Sequence, residues 1–240
     1  MEWKDIGIFM EKPPAPLGDR GPDSRGVLRL VRRLIDEGIA LAIMGNHEYN
    51  FVAYHTQDEK GRFLRSHSDN HALQVAETLL SFTGFEDEIP GWVEWMKTLP
   101  FFLDLGELRV VHASWVPGDI DYLADKSLED RDFLIESARR GSPAWEAIGR
   151  VLKGVEVDMP DKITVDDSNG ISRKAMRVRW WGELAGVSWR EIAFPLVPGL
   201  PEGEAQLDGL REILAYGPEE PPVFFGHYKL IHYPAAPQSD

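Results

Sequence analysis

Three strand-length apolar runs in this chain each end in a side chain that carries a lone pair. "IALAIMG" runs into Asn46 and His47, "LRVV" into His112, and "PPVFFG" into His227. Continuous apolar runs of this length read as buried strands. Upstream of the first, Val27, Leu28, Val31, Leu34 and Ile35 recur at the spacing of one helix face. Asp23 or Ser24 can cap that helix and Gly38 can end it. A helix feeding a buried strand is an α/β unit, and open sheets of this class present their chemistry at strand carboxyl ends.

The rest of the chain reads coarsely. "NHALQVAETLLSFTG" and "EIPGWVEWMKTLP" predict two more helices, with Asp69 as the N-cap of the first. "FFLDL", a turn at Gly106 and Glu107, and "LRVVHAS" predict a hairpin. Residues 119–160 are charged and predict a helical insertion or cap. "RVRWW" and "SWREIAF" predict short strands, and "LDGLREILAYG" a helix within a Pro- and Gly-rich connector. Arg177 and Arg179 read as alternating charges on an edge strand, and the eight tryptophans as packing residues. His55, His67, His71 and His232 read as surface or loop residues.

Composition excludes some partners. There are 26 basic and 40 acidic residues, a formal net charge of -14, which disfavours nucleic acid and anionic membrane surfaces. With no cysteine there is no disulfide, thiolate ligand or thiol nucleophile, as suits a cytoplasmic protein. "MEWKDIGIFMEK" lacks the features of a secretory signal, and no apolar run approaches the roughly 20 residues of a membrane helix.

Taken together, "DRGP", "GNHE", "VVHAS" and "FFGH", in that order from about Gly18 to Tyr228, resemble the calcineurin-like metallophosphoesterases. Within them the chain looks like the bacterial PPP-type serine/threonine and dinucleoside-polyphosphate phosphatases. The resemblance implies an αββα sandwich and hydrolysis of phosphomonoesters, on a phosphoprotein or a dinucleoside polyphosphate, by in-line attack of a metal-activated water. It implies a divalent metal, manganese first, with iron, zinc or nickel as alternatives. Asn46, His112 and His227 correspond to ligands of the second metal of the pair. His47 corresponds to the general acid, Asp19 to the carboxylate that orients it, and Arg20 to a phosphate clamp. Glu48 reads as a brace for the loop.

The chain also departs from the family pattern. The first motif, Gly-Asp-x-His-Gly, is missing. The second should read Gly-Asp-x-x-Asp-Arg-Gly, but here it is Gly18-Asp19-Arg20-Gly21, which sets Pro16 at the bridging-ligand position. Read as a deletion instead, Asp19 becomes the bridge and His47 loses its partner. Asp69-x-His71 has the spacing to replace the lost ligands, but at a helix start. The 18 residues before Asp19 are too few for a strand and a crossover helix. The expected architecture is therefore an incomplete sandwich lacking its first βα unit and its final strands. Residues 1–18 form a degenerate N-terminal segment, and residues 19–240 a metallophosphoesterase-like domain. The rival expectation is a catalytically impaired, truncated paralogue that keeps one metal half-site and acts as a binding protein.

Overall fold

A computed structural model describes residues 7–9, 23–160, 163–166, 172–182, 184, 186–205, 207, 210, 214 and 216–228. The predicted helix over 207–217 falls largely outside them, as do Pro16, Asp19, Arg20 and His232. The described chain is mixed α/β, with helices around four small sheets.

Strand β1 (Gly7–Phe9) pairs antiparallel with β2 (Leu41–Ile43). Between them lies α1 (Ser24–Asp36), whose first turn is capped by the Asp23 carboxylate accepting from the Gly26 N–H at 2.7 Å. Gly38 follows in the left-handed region, at φ 69°. Arg25 then ties α1 to the chain ahead of α4 (Ile89–Lys97), through a two-pronged ion pair with Glu88 and a stack on Phe85. That guanidinium holds the Glu88 carboxyl down to about 2.

After β2 the chain enters a helix that periodicity does not reveal, α2 (Asn46–His55). Six consecutive residues from Glu48 to Ala53 are buried, so the helix is enclosed on every side. An enclosed helix has no polar face and gives no amphipathic signal. Next come α3 (Asp69–Ser81), a 3-10 turn (Glu86–Glu88) and α4. Ser68, not Asp69, is the N-cap of α3; Asp69 lies in its first turn, where a carboxylate favours the helix dipole.

The predicted hairpin is present as β3 (Phe102–Asp104) and β4 (Arg109–Val111), turning at Gly106 with φ 80°. On the other side of β4 lies β10 (Val223–Phe225), paired parallel with it, Phe225 against Val111. The order β10-β4-β3 makes β4 the central strand.

Residues 119–160 hold α5 (Pro117–Leu123, which starts just before them), α6 (Arg131–Ser137), α7 (Pro143–Lys153) and β5 (Glu156–Asp158). Leu123, Leu134, Ile148, Val151 and Leu152 from these helices join the same core as Met44, Val52 and Val111.

Strands β6 (Val165–Asp166) and β7 (Ser172–Arg173) form a small hairpin. Beyond it, β8 (Ala175–Val178) pairs with β5 on one side and β9 (Ala193–Phe194) on the other. The predicted edge strand carrying Arg177 is therefore a central one. The first part of "SWREIAF" is not a strand: Trp189–Ile192 forms a short helix, α8, because Ser188 and Glu191 make a reciprocal capping box.

Trp180, Trp181, Phe194, Phe225 and Tyr228 pack edge to face or tilted and join the two three-stranded sheets. The Trp180 indole N–H donates to the Ala113 carbonyl at 3.0 Å, beside the end of β4. These tryptophans pack as the sequence suggests.

Gly154 ends α7 at φ 92°, ψ 164°, a conformation nearly restricted to glycine. A Cβ there would lie 2.3 Å from the Tyr228 hydroxyl oxygen. Gly154→Ala is therefore expected to destabilise the protein by about 1–3 kcal/mol from backbone strain alone. Urea unfolding of the variant beside wild type tests this, and an unchanged midpoint refutes it.

Candidate functional site

Pairing geometry assembles the site. Because β10 runs parallel to β4, their carboxyl ends lie side by side, and the Gly226 N–H donates to the His112 carbonyl at 3.0 Å. His112 directly follows β4, and His227 follows β10 by two residues. The turn after β2 reaches the same place. The Met44 N–H donates to the Pro100 carbonyl at 2.7 Å, and a Cβ on Gly45 would lie 3.3 Å from the His112 ring. Gly45 is the N-cap of α2, so Asn46 and His47 open that helix.

Three polar atoms converge. His112 Nε2 lies 2.7 Å from Asn46 Oδ1 and 3.3 Å from His227 Nδ1. The two imidazole centroids are 5.2 Å apart. His227 adopts φ 62°, a left-handed conformation that costs a non-glycine residue roughly 1–2 kcal/mol. Such strain persists where surrounding structure enforces it, and it clusters at functional sites.

His112 is 2% exposed. Burial, the nearby His47 and Arg177 lower its pKa from 6.5 to about 3. Burial, Arg177, His112, His47 and Lys153 lower that of His227 to about 2. Both rings are thus neutral at pH 7 and offer lone pairs. An amide oxygen can only accept. One proton between His112 and its neighbours can satisfy one of the two contacts well, whereas a cation at the junction satisfies all three lone pairs. Two donors each about 2.1 Å from one cation stand about 3.0–3.4 Å apart, close to the separations seen here. Asn46, His112 and His227 can thus hold a divalent cation. Among the described residues no three His, Cys, Asp or Glu side chains converge on a metal position. The cluster has two histidines, and its third donor is an amide.

His47, the second residue of α2, is exposed and close enough to repel protons from both buried rings. Glu48 is buried behind it, and its carboxylate would lie 2.3 Å from a Cβ on Gly45. The structure thus brings Asn46, His47, His112 and His227 together. Asp19 and Arg20 lie outside the described residues. His71 does not join the cluster: it is partly exposed, and its Nδ1 bonds Ser66 at 2.9 Å.

Sequence reasoning read Arg177 as an edge-strand charge and passed over Lys153, both of which act on His227. Arg177 is half-buried on β8, 3.7 Å from Glu156, and heads the charges acting on His227. Alternating charge along a strand resembles an ordinary solvated face. Only the pairing of β8 on both sides distinguishes it from one.

No protein family model matches the chain, and no solved structure does. The chain is similar to a protein of Ralstonia nicotianae named symmetrical bis(5'-nucleosyl)-tetraphosphatase, with 30% identity over 112 residues. The match takes in 45% of this chain and 35% of that protein, so the chain spans about a third of the length of the curated relative it matches. Among the described residues no helix is long and apolar enough to cross a membrane.

The neutral histidines give a sign to the pH dependence of stability. A native pKa below the unfolded value means that the unfolded chain binds the proton first. The stabilisation is complete above about pH 6.5 and is lost as pH falls from there toward about 3. By pH 5, the loss due to His112 is about 2 kcal/mol. In EDTA, wild type is expected to lose stability between pH 7.5 and pH 5, and His112→Gln to lose less. Equal losses in denaturant titrations of the two proteins would contradict the assignment.

Proposed function

We propose that this protein is a metal-dependent phosphoesterase that hydrolyses phosphomonoesters, on a phosphoprotein or a dinucleoside polyphosphate. The observation that carries the reading is that His112 Nε2 lies 2.7 Å from Asn46 Oδ1 and 3.3 Å from His227 Nδ1. The similarity to a dinucleoside tetraphosphatase supports the same class.

Asn46, His112 and His227 would hold the cation. A divalent metal there polarises a phosphoryl oxygen and lowers the pKa of bound water. Burial keeps the two imidazoles in their neutral, donating state. His47 stands at the exposed mouth and is suited to protonate the leaving oxygen as general acid. Asp19 is proposed to orient His47, and Arg20 to clamp the phosphate. Arg177, which acts on both histidines, is proposed to add a planar fork of donors suited to a phosphoryl oxygen. The first turn of α2 presents the positive end of its dipole to the same space, which favours an anion. Manganese is the proposed metal, with iron, zinc or nickel as alternatives, and the setting is cytoplasmic.

The test is hydrolysis of p-nitrophenyl phosphate with manganese, comparing wild type with His112→Ala and His47→Ala. Each substitution is expected to lower turnover on the order of 10²–10³-fold. Manganese binding, followed by calorimetry, is expected to fail in His112→Ala and to survive in His47→Ala. Wild type that binds manganese without any turnover above His112→Ala would overturn the enzymatic reading in favour of a metal-binding paralogue. Wild type that does neither would overturn both.

A further inference from the structure

The helical insertion supplies none of the side chains in the chemistry proposed above, yet two of its helices hold the backbone on which those side chains stand. Helix α7 holds the end of β4. The N–H groups of Ala113 and Ser114 donate to the Val151 carbonyl at 2.9 and 3.4 Å, and the Ser114 hydroxyl donates to the Arg150 carbonyl at 2.6 Å. Ala113 and Ser114 come directly after His112. The Val151 carbonyl lies in the last turn of α7, where a helix leaves carbonyls without partners of their own.

Helix α6 holds the start of α2. That start is weak by itself, because its N-cap is Gly45 and no side chain caps the turn. Uncapped first turns fray. The Tyr49 N–H closes this one, donating to the Gly45 carbonyl at 3.0 Å across Asn46 and His47. Tyr49 is buried, and its hydroxyl lies 3.0 Å from the Ser137 hydroxyl at the end of α6. Ser137, also buried, donates its single proton to the Leu134 carbonyl at 2.8 Å, so Tyr49 is the donor of the pair. Burial pushes the phenol up, which keeps that proton in place. A tyrosine turns about two side-chain bonds only, so a fixed hydroxyl limits how far the turn bearing it can rotate. Ser142 joins the two helices. Its hydroxyl donates to the Glu136 carbonyl at 2.8 Å and accepts from the Trp145 N–H at 3.1 Å, which caps α7. A continuous path of hydrogen bonds and helix thus runs from Tyr49 through Ser137, Ser142 and α7 to Ala113.

We propose that α6 and α7 act as one bracket that sets the separation of Asn46 and His112, and that Tyr49 is the positioning residue through which the bracket reaches Asn46. Asn46 Oδ1 and His112 Nε2 stand 2.7 Å apart, and a metal site tolerates errors of only about 0.2 Å in its ligand distances. The use of these two atoms to hold a cation rests on the phosphoesterase reading, whereas the bracket rests on the hydrogen bonds themselves. A buried pair that did no more than satisfy two hydroxyls would lower stability when broken and leave the ligand atoms where they are.

Two measurements on the full chain test this. In EDTA, nitrogen-15 NMR follows the Asn46 side-chain amide and the His112 imidazole. With manganese, calorimetry gives the affinity. Tyr49→Phe is the cleanest break, since it leaves the Ser137 hydroxyl bonded to Leu134. It is expected to lower manganese affinity about three- to tenfold, the equivalent of one net hydrogen bond. Ser137→Ala should lower it at least as much, because the phenol then stays buried without a partner. The double variant is expected to lose about as much as Tyr49→Phe alone, the mark of two groups acting through one bond. Ser142→Ala opens the joint without altering Tyr49. It is expected to shift the Asn46 amide signal in EDTA and to lower manganese affinity about threefold, and Ser142→Thr, which keeps the capping oxygen, to reverse both. Circular dichroism confirms that each variant is folded, and if Ser137→Ala is not, Tyr49→Phe and the Ser142 pair carry the comparison. A Tyr49→Phe protein that loses stability in urea but keeps wild-type Asn46 and His112 signals and wild-type affinity overturns the proposal. So do effects of Tyr49→Phe and Ser137→Ala that simply add. Wild type that binds no manganese overturns the metal reading instead, and the signals in EDTA then decide the bracket alone.

Discussion

The parallel contact between β10 and β4 is what the rest of the site depends on. It is three residues long, and its last link is the Gly226 N–H on the His112 carbonyl. An antiparallel contact would set the end of one strand beside the start of the other and separate the two histidines. The turn after β2 and the first turn of α2 approach an edge that this pairing has already defined. The aromatic cluster behind it, from Trp180 to Tyr228, then fixes the second sheet and with it Arg177.

Burial and charge act in one direction at this place. Removing His112 and His227 from water disfavours their protonated forms; Arg177 and His47 disfavour both further, and Lys153 that of His227. An imidazole meant to carry a positive charge would sit beside carboxylates. Arg177 acts on both His112 and His227, which suits lone-pair donors to a metal, while the Glu48 carboxylate lies at Gly45 beside the His112 ring. Global charge governs encounter at long range, while the cluster acts at the contact distances where screening is weak.

Much of this was legible in the residues. The three apolar runs ending in Asn46, His112 and His227 marked the strand ends, and the hairpin and the first helix followed from turn chemistry and spacing. The convergence of the three side chains was implied only by the family resemblance, since spacing along a chain says nothing of which strands pair. Helix α2 was not legible because Tyr49 to Ala53 are buried all round and leave no stripe. The start of "SWREIAF" misled because an apolar, β-prone run concealed a capping box at Ser188 and Glu191. Arg177 misled for a similar reason: alternation looks the same on a central strand with one wet face and on an edge.

The two histidines are separated by 115 positions in the chain. Contacts of such long range close late, because the entropy of the intervening loop must be given up before they return anything. A chain emerging from the ribosome carries Asn46 and His112 long before His227, and with them only part of a ligand set. The proposed cation would therefore not template the early steps of folding. It would act only once β10 has docked, drawing the finished form out of the equilibrium by mass action. Metal supply would then set how long the completed protein survives, rather than how fast it is made.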